Sequence, residues 1–222
     1  MRLLIPTVLL VITVFVVKSV AQDAPKAKLI DEFGDTYCEE LTTRIQILYT
    51  QVALNPGSRA VIVITGSNRD ARLKNERHLW GYIKTANYDP SFLTEIRGPT
   101  EGKVRIQYWL VPKDAEGPNI SPVAWDFTLP AKDKPYYLYS DNENALCESD
   151  HQANILGEYL AANADLGGRV IIHSTSLREF IQAKKEIVER LNKAYLARIA
   201  FVRKREKYED DVEWWLVPSQ KR

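Results

Sequence analysis

The hydrophobic positions between residues 28 and 112 change period several times, and each change predicts an element. Leu41, Ile45, Leu48 and Val52 step by four, three and four, which is one face of a helix. Asn55-Pro56-Gly57 ends that helix. Ala60–Thr65 is a continuous β-branched apolar run, the pattern of a central strand covered on both faces. A second helix is predicted over Asp70–Ala86. Two strands follow, Leu93–Arg97 and Val104–Val111, joined through the turn Gly98-Pro99-Thr100-Glu101-Gly102. A short strand over Lys28–Phe33 precedes them all.

The pattern then recurs. Tyr37-Cys38-Glu39 falls on Leu146-Cys147-Glu148, and Val61–Ile64 on Val170–His173, at an offset of 109. Ile96-Arg97 falls on Val202-Arg203, and Trp109-Leu110-Val111-Pro112 on Trp215-Leu216-Val217-Pro218, at an offset of 106. Four blocks in the same order imply a tandem duplication of a unit of about 85 residues. The expected class is α/β (α+β): two β-α-β-α-β-β units, each a mixed sheet with helices packed on one face. The units span residues 22–112 and 136–222, the second opening with a strand at Tyr136–Ser140. Between them Lys113–Pro135 carries Pro118, Pro122, Pro130 and Pro135 and reads as an extended linker. Inside it Trp125, Phe127 and Leu129 alternate, as in an edge strand or a segment laid across one unit.

In the last strand of each unit, one side-chain set is Val104, Ile106, Tyr108 and Leu110, matched by Val212, Trp214 and Leu216. If that set faces the helices, Trp109 and Trp215 stand on the opposite face. There they serve either as the contact between units or as a platform for a partner.

Residues 1–21 read as a signal peptide: Arg2, an apolar run from Leu3 to Val17, and small residues at Ser19 and Ala21. The run is ~15 residues, short for a ~30 Å hydrocarbon core, so the alternative of a retained anchor fits less well. The mature chain is expected to be periplasmic or extracellular, without a membrane span. Removing Arg2 and Lys18 leaves 28 basic and 29 acidic residues. That balance, without a basic stripe, excludes a general affinity for nucleic acid.

Candidate chemistry is sparse. His78, His151 and His173 are dispersed, with no partner at ligand spacing, so no metal site is expected. Ser174 and Ser176 lack a nucleophile elbow, and there is no phosphate loop or dinucleotide fingerprint, so neither catalysis nor a cofactor is expected. Cys38 and Cys147 are the two cysteines. In an exported protein they either form a disulfide, worth ~4–5 kcal/mol for so long a loop, or pack as two buried thiols.

Asn75-Glu76-Arg77-His78, then Tyr82-Ile83, then Leu93-Thr94-Glu95-Ile96-Arg97-Gly98 resembles the second half of OmpA-like peptidoglycan-binding domains. With Asp31-Glu32-Phe33-Gly34, Asn55-Pro56-Gly57-Ser58-Arg59 and Trp109-Leu110-Val111-Pro112, each unit looks like a secreted bacterial domain of a divergent OmpA-like kind. The resemblance implies a ligand-binding acid and arginine that hold diaminopimelate. Arg77 matches the arginine; the acid's own position is not matched, and Asp70 is the nearest carboxylate. Asp70 and Arg77, with Asn68 beside them, are thus the expected ligand-binding residues, placed ~10 Å apart on one helix face. Otherwise Arg77 is a solvated helix residue beside Glu76. The function expected is non-catalytic binding of peptidoglycan or another envelope component. The alternative is an assembly module that docks an envelope protein through the Trp109/Trp215 face.

Overall fold

The computed structural model describes residues 25–129, 132–140, 151–206 and 211–219. The first unit contains β1 (Lys28–Phe33), α1 (Cys38–Leu54), β2 (Arg59–Thr65), α2 (Arg69–Thr85), β3 (Leu93–Arg97) and β4 (Arg105–Val111). The second contains β5 (Tyr136–Ser140), α3 (His151–Ala162), β6 (Leu166–Ser174), α4 (Leu177–Arg190), β7 (Ile199–Arg205) and β8 (Val212–Pro218). A 3-10 turn precedes β3 and another precedes β7. Each unit is a four-stranded mixed sheet, ordered β1-β4-β2-β3 and β5-β8-β6-β7. β2–β3 and β6–β7 are parallel, as helical crossovers require, and the remaining pairs are antiparallel.

The periodicities have physical outcomes. Leu41, Ile45, Leu48 and Val52 are all buried against the sheet. β2 is closed on both sides from Ala60 to Ile64: Ala60, Ile62 and Ile64 join the main core, and Val61 and Val63 form a smaller cluster with Val111 and Ala115 on the far face. α1 and α2 cover one face of the first sheet, while Ala115 and Ile120, from the segment after β4, cover part of the other.

The pairing corrects the offset drawn from sequence. Val61 lies opposite Trp109, and Arg169 lies opposite Trp215, so β2 maps onto β6 at 108, not 109. The apolar runs match almost equally well in either frame, but a one-residue slip would turn every side chain to the wrong face. At 108, Ile62 corresponds to Val170 and Ile64 to Ile172, all four in the main core.

The stretch 113–135 is more than a spacer. Trp125, Phe127 and Leu129 are buried in the core that both units share. The Trp125 indole N–H donates to the Gly98 carbonyl at 3.2 Å, and Phe127 meets Tyr159 edge-on at 5.1 Å. The Asn163 side chain accepts from Leu129 N–H and donates to the Phe127 carbonyl, at 3.2 and 2.9 Å. The described residues of this strap form no strand; its alternating apolar residues fill the seam between the units.

The two units are not equivalent in burial. α2 packs on α3, and polar residues that would face solvent on an outer helix are enclosed: Arg72, Asn75, Glu76, Arg77 and His78. On α4 only Ile187 is buried, and Leu177 and Ile181 are more than half exposed. α2 is therefore an interior helix and α4 an outer one. Cys38 begins α1 and is 1% exposed; no described cysteine is free, and Cys147 lies outside the described residues. No helix among the described residues is long and apolar enough to cross a membrane, and residues 1–21, expected to be a signal peptide, lie outside them.

Candidate functional site

The residues expected to bind ligand are brought together, but around a protein contact. Asn68 is the N-cap of α2, and its side-chain oxygen accepts from Ala71 N–H at 3.1 Å. Asp70 accepts from the Tyr136 hydroxyl at 3.1 Å. Arg77 lies over the Tyr139 ring at 4.3 Å and is 8% exposed, so it is not the solvated residue that its neighbour Glu76 suggested. Asp70 and Arg77 do share a helix face. Tyr136, Leu138, Tyr139, Ile155 and Tyr159 of the second unit occupy it and leave a gap of only about 30 Å³, room for about one water. Arg77 therefore helps to join the units. Arg77→Ala is expected to cost ~1–2 kcal/mol through the lost cation–π and stem packing, measured by urea denaturation.

Trp109 and Trp215 stand on the face away from the helices, each half-buried. Each indole N–H donates to a side chain two residues earlier in its own strand, Gln107 at 3.3 Å and Glu213 at 2.9 Å. Neither lies in the seam between units; Trp109 packs in the cluster around Ala115 and Ile120, and Trp215 meets Tyr137 at 5.0 Å.

A larger cleft of about 650 Å³ opens where the edge strand β3, α2, the strap and α3 meet. Its walls follow from local periodicity. Glu76 and Trp80 are one turn apart on α2, and His151, Asn154 and Glu158 recur on one face of α3. Glu95 and Arg97 pair with Ile62 and Ile64, which puts them on the helix-covered side of the sheet. Pro122, Val123 and Ala124 of the strap close the cleft, fixed by Val123 N–H donating to the Arg97 carbonyl at 2.8 Å.

The polar groups form one network. Arg97 donates to both Glu76 oxygens, at 3.1 and 2.5 Å, and to both Glu158 oxygens, at 2.7 and 3.0 Å. His151 Nε2 lies 2.6 Å from Glu76 Oε1. Burial pushes the Glu76 carboxyl up, but the hydrogen bonds from His151 and Arg97 outweigh it and hold the group below the ordinary range. Glu95 has the opposite fate. Burial first, then the charge on Glu76, pushes it up to about 8. Trp80 Nε1–H donates to Glu95 Oε2 at 2.5 Å, and Glu95 Oε1 is closed from solvent without a protein partner. A charged carboxylate and a neutral one thus sit beside an indole and a guanidinium. Such a wall can hold a ligand that has both an apolar face and hydrogen-bonding groups.

Sequence reasoning placed Glu95 and Arg97 in a strand and gave them no role. A signal existed: Glu95 maps onto Phe201, so one unit carries a carboxyl where the other has an aromatic ring.

No family model matches this chain, and no curated protein sequence matches it. A solved crystal structure of chorismatase is similar over 86% of this chain and 73% of its own, at 11% identity and a TM-score of 0.26. A likeness of that size says nothing about fold or reaction here.

Proposed function

We propose that this chain is an exported, non-catalytic binding protein of the cell envelope, built from two divergent OmpA-like units, and that its ligand site is the cleft between them. The observation that carries the reading is the cleft itself, about 650 Å³, whose wall combines an indole, charged side chains and apolar residues. Trp80 offers an aromatic surface, Arg97 offers a guanidinium, and Ile96, Pro122 and Val123 offer apolar walls. Peptidoglycan, which combines sugar rings with charged peptide, suits that mixture. The expected Asp70/Arg77 pair belongs to the seam instead.

Cosedimentation of residues 22–222 with purified peptidoglycan tests this. Wild type is expected to pellet. Val123→Arg, at a position 38% exposed in the cleft wall, is expected to stay in the supernatant while keeping the native circular dichroism spectrum. Wild type that does not pellet, or a Val123→Arg variant that pellets equally, overturns the reading. In the same export setting Cys38 and Cys147 are proposed to form a bridge, seen as a gain of two hydrogens in intact mass on reduction.

One observation favours a second reading, docking of an envelope protein through the Trp face. On the second unit's face Tyr137, 5.0 Å from Trp215, and Val202, two strands away from it, are 42% and 41% exposed, whereas the first unit's is partly covered by Ala115 and Ile120.

A further inference from the structure

We infer that the second unit carries a divalent transition-metal site made by His173, Asp211 and Glu213. Among the described residues, one ligand atom from each lies within 4.8 Å of the other two. The three come from the end of β6 and the start of β8, 38 to 40 residues apart in the chain, which is why ligand spacing in the sequence did not reveal them.

The surroundings of the imidazole carry the argument. His173 is 7% exposed, and each of its ring nitrogens faces a carboxylate: Nε2 lies 2.7 Å from Glu213 Oε1, and Nδ1 lies 3.4 Å from Glu206 Oε1. One nitrogen from a nearly buried ring and oxygens from Glu213 and Asp211 thus converge on one point, where a cation would find three ligands. Glu206 stands on the far side of the ring, where outer carboxylates stand at histidine metal sites. Asp211 is held for the same task. Ser140 Oγ–H donates to Asp211 Oδ1, and His173 N–H donates to the Asp211 carbonyl at 2.8 Å.

Charge agrees. Among the described residues, the carboxylates of Asp211, Glu213 and Glu206 outnumber the neighbouring Lys204 ammonium, whose Nζ lies 3.5 Å from Glu206 and 3.8 Å from Glu213. That excess of negative charge suits a cation. One nitrogen and two oxygens suit zinc or manganese better than calcium, which takes oxygen alone. The corresponding positions in the first unit are Thr65, Arg105 and Gln107, which cannot make the site. All three change together between the copies.

The test is calorimetric titration of untagged, chelator-treated residues 22–222 with zinc chloride. Wild type is expected to bind one ion per chain. His173→Ala and Glu213→Gln should each abolish that heat, and Ser140→Ala should weaken binding roughly 10- to 100-fold. His151→Ala, which alters the other histidine–carboxylate contact, should leave it unchanged. Binding that survives both His173→Ala and Glu213→Gln, or that is lost in His151→Ala instead, overturns the assignment. So does wild type that binds nothing. Glu213→Gln keeps the shape of the site, so it reports on the ligand set even if His173→Ala fails to fold.

Discussion

Glu76→Ala is expected to destabilise the protein by ~3–5 kcal/mol, the usual cost of removing one partner from a buried ion pair. Glu76 is 1% exposed and takes both an Arg97 fork and the His151 ring. Without it, Arg97 keeps, among the described residues, Glu158 as its ion partner, whose side chain is 36% exposed, and His151 loses the contact described here. The three residues come from α2, β3 and α3, so the loss falls on the packing of one unit against the other. Urea denaturation of residues 22–222 measures it. Glu158→Gln should cost at most ~1 kcal/mol, because its carboxylate is partly in water. The Glu76→Ala, Arg97→Met double variant should be less destabilised than the two singles combined. A Glu76→Ala loss under ~1 kcal/mol would show that the network contributes little to holding the units together.

The second large effect has the opposite sign and depends on pH. Glu95 is raised from an ordinary 4.5 to about 8. Between those values the folded protein holds a proton that the unfolded chain releases. Its contribution is therefore full below pH 4.5 and is lost as the pH rises towards 8, at up to ~1.4 kcal/mol per pH unit. Gln does not titrate, and its amide oxygen can still accept from Trp80 Nε1–H. Glu95→Gln should thus match wild type near pH 4 to 5 and melt several degrees higher near pH 8.5. Parallel melting curves across the range would mean that Glu95 is ionised in the fold at neutral pH. Glu76 acts the other way: its folded value is depressed, so its contribution is present above pH 4.5 and lost as the pH falls further. His78, lowered to about 4 by burial and then by Arg77, adds to the acid-side loss below pH 6.5. Wild type should therefore lose stability on both sides of a mildly acidic optimum.

Much of each unit was legible because its elements bury one face at a time. β1, β3 and β5 begin and end where alternation and turn residues put them, and the α1 stripe is buried as its spacing implies. α2 was different. A helix with Arg72, Asn75, Glu76, Arg77 and His78 reads as water-exposed unless the partners that neutralise it are known. Those partners, Arg97, Trp125, Tyr139 and His151, lie 21 to 75 residues further along the chain. The same distance hid the cleft, whose walls come from four segments, and the histidine–carboxylate group in the second unit. Arg77 drew attention through a local motif, yet its surroundings are set by a strand in the other half.

The strap has a consequence for how the chain tolerates loss of either half. With Trp125, Phe127 and Leu129 sunk into the seam, and α2 facing Arg97 and Tyr139 rather than water, neither half is a spare part. A fragment ending at residue 112 would bare the charged side of α2 without its aromatic cover. The halves now persist or fail together. That leaves the outer surfaces of the second unit as the ground on which new chemistry can be tried at little risk to the whole.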